Sequence, residues 1–125
     1  MSQLVHEIMN RELFSLRPDE SATEALGYLA ALGVSAAPVV DADGAPLGVA
    51  SWHDLVAPSA GELVRDRMTT PPVTIAAAEA VALAADELCR LGIHHLFVVD
   101  GRGALVGALS VLDVLSAMTG HAVRH

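Results

Sequence analysis

The sequence has one cysteine, Cys89, so no internal disulfide can form and thiol usage does not point to an oxidising compartment. It has no lysine. All seven basic residues are arginines (11, 17, 65, 67, 90, 102 and 124), set against fifteen acidic residues for a formal net charge of −8. A chain this acidic lacks the basic face used to bind nucleic acid or anionic membrane, so neither partner is expected. A few arginines converging on one cleft could still hold a small phosphate. Apolar residues make up 53% of the chain, but Ala and Val supply much of that, and no run approaches the roughly 20 residues that cross a bilayer. The opening Met1-Ser2-Gln3-Leu4-Val5-His6-Glu7 has neither a basic n-region nor an apolar h-region, and we expect a soluble, cytoplasmic protein. Catalytic signatures are missing as well: there is no Gly-x-Ser-x-Gly elbow, no P-loop and no helical His-Glu-x-x-His. The expectation is a protein that is not an enzyme.

What is present is a repeat. Val98-Val99-Asp100-Gly101-Arg102-Gly103-Ala104-Leu105-Val106-Gly107-Ala108-Leu109-Ser110-Val111-Leu112-Asp113 follows Val39-Val40-Asp41-Ala42-Asp43-Gly44-Ala45-Pro46-Leu47-Gly48-Val49-Ala50-Ser51-Trp52-His53-Asp54 at a constant offset of 59 residues. The same offset pairs Leu4 with Leu63, Val5 with Val64, Met9 with Met68, Glu20 with Glu79, Leu29 with Leu88 and Gly33 with Gly92, without a gap. A unit of about 60 residues is marginal alone, so the two halves of this 125-residue chain are expected to pack together and fold as one domain.

Each copy reads as strand, helix, strand, strand, helix. Leu13-Phe14-Ser15-Leu16 has the pattern of a short strand ended at Arg17-Pro18, and Ser21-Ala22-Thr23-Glu24 has the form of a capping box opening a helix that Gly33 closes. Ala37-Pro38-Val39-Val40 and Leu47-Gly48-Val49-Ala50 flank a turn at Asp41-Ala42-Asp43-Gly44, and a last helix starts at Ser51 and stops before Pro58. The second copy repeats this with Val73-Thr74-Ile75, a helix over about Glu79 to Leu91, Leu96 to Val99, Leu105 to Leu109, and a helix from Ser110 to Gly120. The boundaries implied are a first motif over 1–58, a linker over 59–63, a second motif over 64–119 and a tail over 120–125.

An apolar strand ending in Val-Val-Asp, a Gly turn, a Gly-opened strand and then Ser-x-x-Asp entering a helix resembles a CBS motif, and the tandem pair resembles a Bateman module from about Leu4 to about Leu115. That resemblance implies an α/β (α+β) fold, a CBS-domain pair of two β-α-β-β-α repeats related by a pseudo-twofold axis, with two related clefts. It also implies a regulatory sensor of an adenosine-containing ligand such as AMP, ADP, ATP or S-adenosylmethionine, without a cofactor, forming a homodimer and regulating a separate target protein. The alternative is a ligand-free dimerisation or adaptor module. Metal or redox sensing through the histidines and Cys89 is a third reading.

The candidate ligand-binding residues are Ser51 with Asp54 and Ser110 with Asp113. Ser-x-x-Asp at a helix start is also a capping pair that suits the helix dipole and needs no ligand. In a ligand site, the same carboxylate could accept two hydrogen bonds from a ribose diol, with phosphate drawn to the amides of the helix start. The resemblance places ribose at the Asp and phosphate toward the Ser, and adds Ser15 and Thr74 on the first strands as base contacts. It places His94 and His95 before the second copy's core strand as phosphate contacts, where the first copy has Ser35 and Ala36. Two adjacent strand residues face opposite ways and suit a shared metal poorly. Trp52 and Cys89 read as packing residues, and His121 with His125, four apart beyond Gly120, read as tail rather than as a metal pair.

Overall fold

The computed structural model describes residues 3–120, so the expected tail beyond Gly120, with His121 and His125, lies outside the described residues. Among the described residues, eleven elements follow the repeat: α1 (Val5–Ile8), α2 (Ala22–Leu32), β1 (Ala36–Val40), β2 (Pro46–Ser51), α3 (Trp52–Leu55), α4 (Val64–Arg67), β3 (Thr74–Ala76), α5 (Val81–Leu91), β4 (His95–Val99), β5 (Leu105–Ser110) and α6 (Val111–Thr119). No helix among the described residues is long and apolar enough to cross a membrane.

Local chemistry sets the boundaries. Ser21 Oγ accepts from the Glu24 amide at 3.3 Å to start α2. Only the Ser21 half of the expected capping box forms; in the turn before it, the Glu20 carboxylate accepts from the Arg17 amide at 2.7 Å. Gly33 (φ 68°) and Gly92 (φ 65°) take the left-handed conformation that ends α2 and α5. Asp41 and Asp100 build the hairpin turns: each Oδ1 accepts two amides, from Asp43 and Ala45 in one case and from Arg102 and Ala104 in the other. The Arg102 amide, then that of Ala104, holds the Asp100 carboxyl below its ordinary range. The first copy's last helix is short: α3 ends at Leu55, followed by Ala57 at φ 51° and then Pro58, whereas α6 runs on to Gly120.

The chain divides into two compact units that cut across the repeat: Phe14–Pro72 forms one, and Met1–Leu13 with Val73–His125 forms the other. In the latter, β3 lies parallel to β4 and β4 antiparallel to β5, with Thr74 opposite Phe97 and His95 opposite Ser110. Its core joins Val5 and Met9 of the first copy's lead-in to Ile75, Val81, Ala84, Leu88, Leu96, Val98, Leu109 and Val114. The lead-in is held by backbone bonds from Val5 to Glu79, from Val81 to Gln3, and in both directions between Asn10 and Ala108, at 2.8–3.0 Å. The other unit repeats each bond 59 residues away: Val64 to Glu20, Ala22 to Glu62, and Thr69 with Val49 in both directions, at 2.8–3.0 Å. There Val64 is buried with Leu16, Ala25, Leu29, Val39, Ala50 and Leu55, and Met68 packs against that cluster.

One expected strand is absent. Leu13–Leu16 makes only an isolated parallel bridge, Leu16 to Val39, beside the two-stranded β1–β2 hairpin. The second copy shows why. There the Phe97 amide donates to the Val73 carbonyl at 3.1 Å. The equivalent of Phe97 is Pro38, which has no N–H to offer Phe14, so the ladder stops after the two bonds joining Leu16 to Pro38 and Val40.

Candidate functional site

In the second copy, β5 delivers Ser110 to the start of α6. Ser110 Oγ accepts from the Asp113 amide (3.1 Å), while Asp113 Oδ2 accepts from the Ser110 amide (2.8 Å) and hydroxyl (3.0 Å). The pair is a reciprocal cap, and the carboxylate sits at the positive end of a nine-residue helix. Asp113 is only 4% exposed, the one buried charged side chain among the described residues, and these bonds offset its desolvation.

The neighbouring candidates lie on the strands of the same sheet. His95 lies directly opposite Ser110 in the antiparallel ladder, and the His94 carbonyl accepts from the Val111 amide at 3.1 Å, fastening that corner to the helix start. Leu96, Val98 and Leu109 face the core, so His95, Phe97 and Ser110 occupy the opposite face of the sheet. Thr74, opposite Phe97, shares it. Thr74, His94 and His95 are all exposed. Thr74 and Ser110 lie two strand spacings apart and two residues out of step along the strands, about 12 Å at the usual sheet dimensions.

The first copy forms the same cap with the same partners: Asp54 Oδ2 accepts from the Ser51 amide (2.9 Å) and hydroxyl (3.0 Å), and Ser51 Oγ accepts from the Asp54 amide (3.1 Å). Its surroundings are poorer. Ser51 faces Ala36 across the hairpin, the Trp52 amide donates to Ser35 O at 2.9 Å, and exposed Ser15 stands beside the Leu16 bridge rather than on a strand.

One functional-looking group was not singled out by the sequence reading. The Arg67 guanidinium forks onto Glu62 (2.7 and 2.8 Å) and also donates to the carbonyls of Asp54 (3.2 Å) and Ala57 (3.5 Å). The Arg67 hydrogen bond, reinforced by the Ser59 amide, lowers the Glu62 carboxyl to about 2, and Glu62 in turn raises Arg67. A Glu and an Arg bracketing a four-residue helix were the available signal. Among the described residues no cluster of three or more His, Cys, Asp or Glu is arranged to hold a metal.

Two copies of one motif, each ending in a Ser–Asp cap, match the CBS domain over residues 5–61 and again over 60–120. The chain belongs to the CBS domain family. As a CBS pair it is similar to CBSX2 from Arabidopsis thaliana, solved in complex with AMP: 28% identity, TM-score 0.84, covering 94% of this chain and 96% of that one. It is also similar to the cytosolic domain of the Mg2+ channel MgtE in complex with ATP, at 29% identity and TM-score 0.79, covering 88% of this chain and 46% of that one. Among curated sequences it is 36% identical to inosine-5'-monophosphate dehydrogenase from Mycobacterium tuberculosis over 99 residues, which is 78% of this chain and 19% of the dehydrogenase. A protein from Methanopyrus kandleri is 28% identical over 122 residues, 60% of its own length. The chain thus spans 60% of the length of one of these curated relatives and only a fifth of the dehydrogenase.

Proposed function

We propose that this CBS pair is a regulatory module that binds an adenosine-containing ligand, AMP, ADP, ATP or S-adenosylmethionine, and passes its occupancy to a separate target protein. The observation that carries the reading is the face of the second copy, which Thr74, His95 and Ser110 share, with the Asp113 carboxylate bonded to Ser110 and His94 next to His95. The AMP-bound relative, similar over nearly its whole length, supports it. In this reading Asp113 receives the ribose hydroxyls, Ser110, His94 and His95 lie toward phosphate, and Thr74 meets the base. Asp54, Ser51 and Ser15 do the same in the first copy, with less polar help. The repeats act as motifs over 1–58 and 64–119 joined by the 59–63 linker. The module binds and does not catalyse, and a ligand moves it only by the difference in affinity between two of its states.

A cytoplasmic homodimer completes the proposal. Its support is an apolar stripe on α6, where Leu112, Leu115 and Met118 are exposed. One observation favours the alternative of a ligand-free adaptor: both Ser–Asp caps are complete without any ligand. Calorimetric titration of the full chain with the four ligands separates the two readings.

A further inference from the structure

We infer that Arg67 is a positioning residue for Asp54, and that it makes ligand binding at the first copy depend on the linker that joins the copies. The inference rests on the reading that the Asp54 carboxylate holds ligand. Helix α3 has four residues, too few for its terminal carbonyls to find partners within the helix. α6, with nine residues, bonds back into its own last turn through the Gly120 amide to Ser116 O at 2.8 Å. For α3 the partner comes from outside: Arg67 donates to the carbonyl of Asp54 itself and to that of Ala57 just beyond the helix. The same guanidinium is gripped by Glu62 at the end of the linker, which also accepts from the Ser59 amide at 2.6 Å. The backbone that aims the Asp54 carboxylate is therefore tied to the linker through one side chain. The second copy has no equivalent among the described residues, since the lead-in residue matching Arg67 there is Ile8.

Trp52 supplies a local readout. It is the only tryptophan, the first residue of α3 and 51% exposed. In full-length protein carrying Asp113→Ala, which disables the second copy, AMP is titrated while Trp52 emission is followed, with and without Arg67→Gln. Arg67→Gln is expected to weaken AMP at least five-fold, and Arg67→Lys, which places a point charge but cannot fork, to fall between. Combined with Asp54→Ala, Arg67→Gln is expected to add nothing, as a residue acting through Asp54 requires. Affinity within two-fold of the parent in a protein folded by circular dichroism overturns the inference. If Arg67→Gln does not fold, Glu62→Gln takes its place, and unchanged affinity there overturns it equally. If AMP does not bind the wild-type chain, the titration is run with whichever of ADP, ATP and S-adenosylmethionine does; should none of the four bind by Trp52 emission or by calorimetry, the ligand-sensing reading falls and this inference falls with it. Binding by the wild type with no effect of Arg67 removes this inference alone.

Discussion

Replacing Gly48 by alanine tests how the lead-in of one copy docks on the body of the other. Gly48 lies on β2 where the backbone of the second copy's lead-in crosses it, and an added Cβ would stand 2.5 Å from Thr69 O, 2.9 Å from Thr70 Cγ2 and 3.3 Å from Met68 Sδ. Thr69 O is fixed by accepting from the Val49 amide at 3.0 Å, and the Thr69 amide donates back to Val49 O at 2.8 Å. Relief therefore requires the two backbones to separate. Overpacking of this kind is worth about 1–3 kcal/mol and each of the two hydrogen bonds about 1 kcal/mol, so the low end of the sum, about 3 kcal/mol, is the least loss expected. At roughly 4 °C per kcal/mol for a chain of this size, the melting temperature should fall by about 12 °C or more. Gly107→Ala is the internal control. Its Cβ would meet Met9 Sδ at 2.5 Å and Met9 Cγ at 2.9 Å, both on a flexible side chain, and backbone, Asn10 O, only at 3.0 Å. That change should amount to about 1 kcal/mol. Urea denaturation followed by circular dichroism measures both. A Gly48→Ala protein within about 0.5 kcal/mol of wild type, half of a single such hydrogen bond, or a Gly107→Ala protein that is the less stable of the two, would refute the docking geometry.

The latch on the linker has a pH signature. The Glu62 carboxyl is lowered from 4.5 to about 2 in the folded protein, so its stabilisation is present in full above 4.5 and is lost as pH falls through that interval. Glu62→Gln should therefore lower the melting temperature at pH 7 and match wild type near pH 2; a deficit that persists in acid contradicts the pairing. Pro38→Val gives β1 the missing donor, and the new amide should bond Phe14 O as Phe97 bonds Val73 O. Hydrogen exchange at residue 38 is expected to be slowed to the level of its β1 neighbours, and a freely exchanging amide would mean that Pro38 is not what stops the ladder.

The gapless 59-residue offset made most of the element plan legible, because glycines, turn aspartates and apolar positions recur where a shared backbone requires them. The Ser–Asp caps were legible for the same reason: hydroxyl and carboxylate three residues apart at a strand-to-helix junction have few other uses. Three features were not. The strand expected at Leu13–Leu16 depends on a donor in a different element, and Pro38 was read as an ordinary strand residue. Leu4, Val5 and Met9 match Leu63, Val64 and Met68 so closely that their pattern cannot say which body each lead-in joins. The compact units show each crossing to the other copy. Arg67 was invisible as a hub because two of its partners are backbone carbonyls, which leave no mark in the side-chain pattern. Of the candidate site residues, Ser110, His95 and Thr74 come onto one face because strand pairing puts them there.

The measurement that bears most directly on this account is isothermal titration of untagged full-length protein with AMP, ADP, ATP and S-adenosylmethionine, repeated with Asp113→Ala and Asp54→Ala. The account requires saturable binding of at least one of them, weakened ten-fold or more by Asp113→Ala in a protein that remains folded. A loss of ten-fold corresponds to about 1.4 kcal/mol, within the range of a charge-assisted hydrogen bond. No heat with any of the four at millimolar concentration, or a Asp113→Ala change that lowers the melting temperature and leaves affinity untouched, would mean that the Ser–Asp pairs cap helices and do nothing else.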